Sequence, residues 1–332
     1  MQTETIKEHD MPDEMKSTSG SGDAVCLAEG RDTITVLSTS ASSETEAVGA
    51  HNEKAATLME ALPWIKEAFG TTVVIKYGGA AMTDPALRQQ VADDIVLMRL
   101  VGVNPVVVHG GGAEINTYLK ALGHETAFVD GRRVTADDDL DVIRMVLGGK
   151  VNKELVNAIN HHGRYAVGIS GEDGGLVIGA PLSEQHGRTG TVTAIDTTVI
   201  DTLIEQGFIP VISTVSCGED NLPLNINADE VAGELACALN ADKCIYLTDV
   251  DGLYRDFADK TSLISQLTSG EARAFIDDPE ISGGMIPKIA GCINAVSGGV
   301  RRAHILNGTV PHAVLLEVYT DSGVGTMITD EQ

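Results

Sequence analysis

The stretch from Val73 to Gly112 decides the fold, and it reads VVIKYGGAAMTDPALRQQVADDIVLMRLVGVNPVVVHGGG. Two β-branched runs, 73–75 and 106–108, each end in glycines, and apolar residues recur at helical spacing between them. This pattern is typical of a strand–helix–strand unit in a parallel sheet that is covered on both faces. We therefore predict an α/β fold, a three-layer αβα sandwich with a mainly parallel central sheet.

The glycines at these strand ends indicate an anion site. Ligands of open parallel sheets bind beyond the carboxyl ends of the strands. Gly78 and Gly79 follow the first strand and 110–112 follow the second. Backbone N–H groups can approach an anion closely there, because no Cβ intervenes. Lys76 stands two residues before the first pair, so the sequence predicts a phosphate or carboxylate site.

Composition narrows the class of protein. The chain has 332 residues and a formal charge of −25, which argues against nucleic acid or an anionic membrane as a partner. Its hydrophobic runs are too short for a membrane span, and no signal peptide is visible. The cysteines form no CxxC motif, and four of them lie in apolar or small-residue settings. We expect a soluble cytoplasmic protein with reduced thiols.

The N-terminal region divides into a tail and a helix. Residues 1–50 are acidic and polar, and we predict that they are disordered. Residues 51–70 place an apolar stripe on one helical face, and Pro63 should kink that helix. The helix either packs on the outside of the domain or makes a subunit contact. The short run 33–37 could be a strand.

Arginines follow a predicted hairpin turn. Asp130-Gly131 lies between β-rich flanks, which is a hairpin signal. Arg132 and Arg133 come next, and they are either a carboxylate clamp or solvated surface charge. Further on, we expect the short strands of 185–220 to belong to the same sheet.

Later segments contribute polar residues at strand and helix ends. Residues 138–161 should form a helix. Asn225 ends a strand, and Asn227 or Asp229 can cap the helix 229–240. Lys288 falls in the first turn of a helix that follows Gly283-Gly284.

Common catalytic motifs are missing. GxGxxG does not occur, and Val151 follows Lys150 where a Walker A loop needs Ser or Thr. The HGGG run at 109–112 has no GxSxG to supply a nucleophile. Because clustered metal ligands are absent as well, we predict no protein-held metal and a structural role for His109.

Five blocks taken together closely resemble the acetylglutamate kinases of arginine biosynthesis, in the amino-acid kinase fold family. They are VIKYGG (74–79), VVHGGG (107–112), GRRVT (131–135), NINAD (225–229) and GGMIPK (283–288). The resemblance runs from about residue 55 to 329. It implies transfer of a phosphoryl group from ATP to the γ-carboxylate of N-acetyl-L-glutamate, with Mg²⁺ carried by ATP.

The resemblance also assigns roles to residues. Catalysis falls to Lys76, Lys288 and Asp229. Backbone donors to the phosphoryl group are Gly78, Gly79 and Gly112, and acetylglutamate is held by Gly111, Gly112, Arg133 and Asn225. The nucleotide is held by Thr248, Asp249, Gly283, Gly284 and Met285. The implied lobes are 71–215 for acetylglutamate and 216–330 for the nucleotide.

A second resemblance concerns regulation. The helix 51–70 is similar to the N-terminal helix of arginine-inhibited hexameric members, which interlaces dimers into a ring. The implied site for L-arginine comprises Trp64, Arg255, His304, Glu317 and Gly323, with Trp64 in place of the usual Tyr and Arg255 in place of a common Lys. The implied assembly is a hexamer, a trimer of dimers. An aminoadipate-type acceptor and a non-catalytic arginine-sensing homologue remain as alternatives.

Overall fold

The structure is a computed structural model that describes residues 41–256, 258–276, 285–320 and 323–330, without the side chains of 41–54 and Ala80. These residues fall into two units, one that ends at Ala55 and one that begins at Ala56. The sheets, the core and the candidate site belong to the second unit. Residues 1–40, with the expected strand at 33–37, lie outside the described residues. The first helix starts at Ala41, ten residues before the start that we expected.

The bounds of the elements are as follows. The described α-helices are α1 (Ala41–Ala68), α2 (Ala80–Thr83), α3 (Pro85–Leu100), α4 (Gly112–Ala121), α5 (Asp137–Arg144), α6 (Asn152–Asn160), α7 (Thr198–Glu205), α8 (Ala228–Ala238), α9 (Ser269–Ile276), α10 (Ile286–Ser297) and α11 (Ala313–Tyr319). The described strands are β1 (Thr72–Tyr77), β2 (Asn104–His109), β3 (Ala127–Val129), β4 (Arg132–Val134), β5 (Ala166–Ser170), β6 (Val177–Pro181), β7 (Thr189–Ile195), β8 (Ile209–Ser213), β9 (Val215–Gly218), β10 (Pro223–Ile226), β11 (Lys243–Thr248), β12 (Gln266–Thr268), β13 (Arg302–Asn307) and β14 (Thr326–Thr329).

The central sheet has the strand order β12-β14-β13-β11-β1-β2-β8-β5. All neighbouring pairs are parallel except β13 and β14, which are antiparallel. Side chains of β1 alternate between the two faces, so Val73 and Ile75 join one apolar core and Val74 joins the other. Helices α3, α4, α6 and α11 supply the first core, and α8 and α10 supply the second. The predicted three-layer α/β sandwich with a mainly parallel sheet is confirmed.

The prediction that 185–220 belongs to this sheet was wrong for most of its strands. Only β8 joins it, whereas β6, β7, β9 and β10 form a separate closed barrel. The Leu224 side chain fills this small ring, because glycines leave it room. A Cβ on Gly179, Gly190 or Gly218 would lie 2.9–3.4 Å from Leu224 Cδ1.

The predicted helix 138–161 is present as one helical segment with a π-helical centre, Met145–Val151, between α5 and α6. The π turn packs Leu147 against the glycines that follow β2, residues 110–112, which we call the second glycine loop. A Cβ on Gly111 would lie 2.7 Å from Leu147 Cδ2, so a side chain at this position would displace Leu147 from its present packing.

The predicted hairpin turn is also confirmed. Asp130 and Gly131 have φ of 50° and 74°, the left-handed pair of a type I′ turn, between antiparallel β3 and β4. The four described cysteines are free thiols. Among the described helices, none combines the length and apolarity that crossing a membrane requires.

Candidate active site

Two lysines share one buried carboxylate where the strands end. Lys76 Nζ lies 2.9 Å from Asp229 Oδ1, and Lys288 Nζ lies 3.4 Å from Asp229 Oδ2. Burial opposes ionisation of Asp229, but the two positive charges outweigh it and hold the pKa of this carboxyl below its ordinary value. Asp229 therefore stays ionised and fixes two ammonium groups side by side.

Three elements place these groups. Lys76 is the penultimate residue of β1, and Asp229 lies in the first turn of α8. Asn227 caps α8, because its side chain accepts from the backbone nitrogens of Asp229 and Glu230 at 2.8 and 3.4 Å. Asn227 rather than Asp229 is therefore the cap, and the Asp229 side chain contacts the two lysines instead. Lys288 is in the first turn of α10, which has Pro287 at its start.

The glycines after β1 lie beside the Lys76 ammonium. A Cβ on Gly78 would lie 2.6 Å from Lys76 Nζ. Gly79 has a φ of 75°, a conformation that favours glycine, and its Cβ position is 3.8 Å from the Asp249 backbone nitrogen. The ends of the neighbouring strands β1 and β11 therefore lie together beside Lys76.

A cavity of about 190 Å³ lies at the second glycine loop. Its walls include all four residues expected to hold acetylglutamate, namely Gly111, Gly112, Arg133 and Asn225. The start of α8 also lines it, at Asn227 and Ala228. The cavity thus reaches the helix that carries Asp229.

Arg133 is a buried cation in this cavity. Its Nη2 donates to Asn116 Oδ1 at 2.7 Å, and its guanidinium lies 4.9 Å from the centre of the Phe128 ring. Desolvation lowers the pKa of Arg133, and the charge of Asp139 opposes that shift. Among the described residues, the buried Nη1 of Arg133 has no hydrogen-bond partner. This nitrogen is a donor suited to a carboxylate.

Arg132 has a different neighbour. Its Nη1 lies 2.7 Å from Glu230 Oε2 on α8. The other Glu230 oxygen accepts from the Val192 backbone nitrogen at 2.8 Å and from the Thr191 hydroxyl. Of the two expected readings of the arginine pair, solvated surface charge fits neither residue, because Arg133 is buried and Arg132 is ion-paired.

The residues expected at the nucleotide are only partly described. Thr248 ends β11, is buried, and donates to Asp249 Oδ1 at 3.1 Å. Met285 precedes α10 as its N-cap. Gly283 and Gly284 lie outside the described residues.

The residues expected to bind arginine divide into three groups. His304 Nδ1 is 2.7 Å from Glu317 Oε1, and Glu317 Oε2 accepts from the Val324 backbone nitrogen at 2.7 Å. Gly323 is adjacent, since a Cβ there would lie 2.8 Å from Glu317 Oε2. Trp64 packs against the first apolar core, and Arg255 is exposed.

His109 is a buried neutral imidazole. Desolvation lowers its pKa from 6.5 to about 4. Its Nδ1 must donate to the Gly110 carbonyl at 2.9 Å, so its Nε2 accepts from Asn152 Nδ2 at 3.1 Å. These bonds tie the glycine loop to the end of the π turn, a structural role.

The sequence reasoning missed several residues that orient the site. Asn116, Glu230, Thr135 and Thr189 contact it only through pairings distant in the chain. A weak signal existed for Asn116, which lies four residues after Gly112 and therefore on the same helical face.

Two cations lie on one carboxylate, beside glycine-rich strand ends and a cavity lined by Arg133 and Asn225, and such an arrangement is suited to phosphoryl transfer. The amino acid kinase family model matches residues 71–307. Acetylglutamate kinase of Syntrophomonas wolfei is 51% identical over 281 residues, which are 84% of this chain and 98% of that protein. Acetylglutamate kinase of Caldanaerobacter subterraneus is 51% identical over 84% of this chain and 94% of that protein. The chain therefore belongs to the amino acid kinase family, among the acetylglutamate kinases, which are phosphotransferases.

A solved structure supports the fold. N-acetylglutamate synthase from Neisseria gonorrhoeae, in complex with coenzyme A and N-acetyl-glutamate, superposes with a TM-score of 0.75. The match covers 84% of this chain and 64% of the synthase chain, at 24% identity. At that identity the likeness concerns the fold alone.

Proposed function

We propose that the protein phosphorylates the γ-carboxylate of N-acetyl-L-glutamate with ATP, in L-arginine biosynthesis. The products are N-acetyl-L-glutamyl 5-phosphate and ADP. The observation that carries the proposal is the pair of lysines, Lys76 and Lys288, on the two oxygens of Asp229. Family membership supports the choice of acceptor.

The chemistry needs charge compensation rather than a base. A carboxylate oxygen attacks the γ-phosphorus, a new O–P bond forms, and the bond to the ADP oxygen breaks with its electron pair. No proton moves, because a carboxylate is already a nucleophile. The obstacle is repulsion between anions and the charge that spreads over the phosphoryl oxygens. Lys76, Lys288 and the backbone amides at Gly79 and Gly112 offset both, because they are already in place.

The acceptor is held in the cavity beside the second glycine loop. Arg133 offers its buried Nη1, and Asn225 offers its amide, to the α-carboxylate end of acetylglutamate. The γ-carboxylate then points toward Lys76 and the glycine amides. Binding at a distance from the reacting atoms positions the nucleophile.

ATP occupies the ends of β1 and β11, with Thr248, Asp249 and Met285 nearest to it. Within the described residues, no three Asp, Glu, His or Cys side chains cluster as a metal cage. Mg²⁺ fits this site as a companion of the ATP phosphates, where it neutralises their charge.

The identity of the acceptor is tested by ADP release with Mg-ATP and alternative substrates. N-acetyl-L-glutamate should exceed N-acetyl-L-2-aminoadipate in kcat/KM by about 10–200-fold, the worth of one methylene in a fitted pocket. Equal values, or a preference for the longer acid, would move the assignment to an aminoadipate-type kinase. No ADP release with either acid would refute the proposed reaction.

We also propose feedback inhibition by L-arginine at Glu317, His304 and Gly323. Glu317 is an ionised, buried carboxylate that suits a guanidinium: burial raises its pKa, but hydrogen bonds and charge from His304 hold it below the ordinary value. Glu317→Gln should raise the arginine concentration for half-inhibition at least tenfold and leave uninhibited kcat unchanged. The matched control is Glu271→Gln on α9. Equal inhibition of both variants would remove Glu317 from the effector site.

The helix α1 supports a proposed hexamer, a trimer of dimers. Of its expected apolar stripe, Ile65 packs on the core, but Leu58 and Leu62 are 70% and 50% exposed, as is Phe69 just beyond at 69%. Such an uncovered stripe favours the subunit-contact alternative over packing on the domain. Deletion of residues 1–70 should dissociate the hexamer in light scattering and abolish arginine inhibition. A truncated protein that stayed hexameric and inhibited would refute this.

A further inference from the structure

Two buried threonines connect the residues that hold the acceptor. Asn225 Nδ2 lies 3.1 Å from Thr135 Oγ1, Thr135 Oγ1 lies 2.8 Å from Thr189 Oγ1, and Thr189 Oγ1 lies 2.6 Å from the Arg133 carbonyl oxygen. Thr135 is fully buried, and Thr189 is 3% exposed. The chain of contacts joins β10, β7 and the hairpin strand β4.

In this series of four residues, the donor and the acceptor of each hydrogen bond are fixed. The Arg133 carbonyl can only accept, so the one hydroxyl hydrogen of Thr189 is committed to it. Thr135 must then donate to Thr189, which uses the one hydroxyl hydrogen of Thr135. The Asn225 atom that contacts Thr135 must therefore be an N–H donor. Chemistry alone assigns the Asn225 amide its orientation, with Nδ2 toward Thr135.

We propose that Thr135 and Thr189 are positioning residues for the acceptor carboxylate; this rests on the proposed function. With one N–H on Thr135, Asn225 keeps its second Nδ2 hydrogen as a donor for an anion in the cavity. We call the hydrogen-bonded series from Asn225 through Thr135 and Thr189 to the Arg133 carbonyl the relay. The relay also holds the main chain of Arg133. The Asn225 amide and the Arg133 guanidinium come from distant parts of the chain, and the relay keeps the distance between them fixed.

The main chain around Thr135 is anchored independently of its hydroxyl. Its backbone nitrogen donates to His186 O at 3.1 Å, and its carbonyl accepts from Arg188 N at 2.8 Å. Replacement of Thr135 by valine therefore removes one hydroxyl and keeps the shape and the backbone contacts. The loss frees the Asn225 amide to rotate and leaves Thr189 without its donor.

The test is the kinetics of phosphorylation of N-acetyl-L-glutamate by Thr135→Val and Thr189→Val. Each change should raise KM for this acid at least about fivefold, the worth of one hydrogen bond, with kcat within about threefold and KM for ATP unchanged. Thr135→Ser, which restores a hydroxyl, should return KM to within twofold of the wild type. The double valine variant should have the KM of a single variant, because either change breaks the relay.

A matched control lies on β7, the strand that carries Thr189. Thr193 of β7 is exposed and donates to the Ile178 carbonyl at 3.2 Å, outside the relay, so Thr193→Val should leave KM unchanged. If the wild type phosphorylates N-acetyl-L-glutamate and both relay variants have the KM of the wild type, the relay is refuted and the proposed function stands. A fall in kcat with no change in KM, or no rescue by serine, would also overturn the relay. Absence of wild-type turnover would instead overturn the proposed function.

Discussion

The ammonium of Lys76, at the end of β1, lies 2.9 Å from Oδ1 of Asp229, in the first turn of α8. This contact joins a strand of the first half of the chain to a helix of the second. Lys288 completes the arrangement from α10. The carboxylate thus orients two cations, and under the proposed function the reaction depends on both.

Replacement of Asp229 by Asn should lower kcat by about 100-fold or more. The amide keeps the shape, but it removes the charge that holds two ammonium groups together against their mutual repulsion. Steady-state ADP release measures the effect, and KM for N-acetyl-L-glutamate should change much less than kcat. The control is Asp242→Asn, a carboxylate that pairs with Lys243 on the N-terminal side of β11. Equal losses in the two variants would show that the Asp229 effect is unspecific.

Gly78→Ala should lower kcat about tenfold. The new Cβ would lie 2.6 Å from Lys76 Nζ, so the ammonium must move away from the phosphoryl position. Thermal unfolding should be little changed, since the far end of a flexible side chain can yield. Gly149→Ala is the control, because a Cβ there meets nothing within 4 Å. Normal turnover by Gly78→Ala would mean that the Lys76 position is not critical.

Glu230→Gln should loosen the hairpin that carries Arg133. The Arg132–Glu230 pair is half-buried, and its loss leaves the hairpin tied to α8 less firmly. A double-mutant cycle with Arg132→Met should give a coupling free energy of about 1 kcal/mol in urea unfolding. Glu234→Gln, one turn further along α8, should show no coupling with Arg132→Met. A coupling near zero for Glu230 would contradict a structural link.

Stability should fall on acidification because of His109. Its folded pKa, about 4, is below the ordinary 6.5, so the unfolded chain takes up a proton that the folded protein refuses. Its contribution is fully present above pH 6.5 and is lost as pH falls toward 4. At ~1.4 kcal/mol per pKa unit, the loss is roughly 3 kcal/mol.

The measurement is the free energy of unfolding in urea between pH 7 and 4. His109→Gln should lack this part of the pH dependence, and its curve should be flatter than that of the wild type. His161→Gln, on the exposed surface, should follow the wild type. Parallel curves for wild type and His109→Gln would show that His109 is protonated normally in the folded state.

The sequence predicted what is local in the chain. The β-branched runs of β1 and β2, the glycines after them and the Asp130-Gly131 turn each carry their own signal, since pattern and backbone conformation are short-range properties. The ordered set of motifs then predicted the family. The relation of Lys76, Lys288 and Asp229 followed from that resemblance, and no spacing in the chain revealed it.

What the sequence could not predict depends on distant pairs. In the barrel of β6, β7, β9 and β10, three glycines leave room for the Leu224 side chain. The hydrophobic periodicity of the sequence does not predict this packing. Arg132 and Arg133 are neighbours with different contacts, because Glu230 pairs with Arg132 whereas Asn116 accepts from Arg133. The bond between Asn225 and Thr135 spans 90 residues. Such contacts arise when the packing is complete, so composition and spacing carry no trace of them.

A comparison of chemistry with binding in Lys76→Ala tests whether Lys76 acts in the transition state. Single-turnover phosphoryl transfer from ATP to N-acetyl-L-glutamate gives the rate of the chemical step, and calorimetric titration gives the Kd for the acid. If Lys76 and Lys288 stabilise the transition state, the single-turnover rate should fall by about 100-fold or more, with Kd within a fewfold of the wild type. A near-normal rate, or a loss confined to Kd, would contradict a role for Lys76 in the transition state.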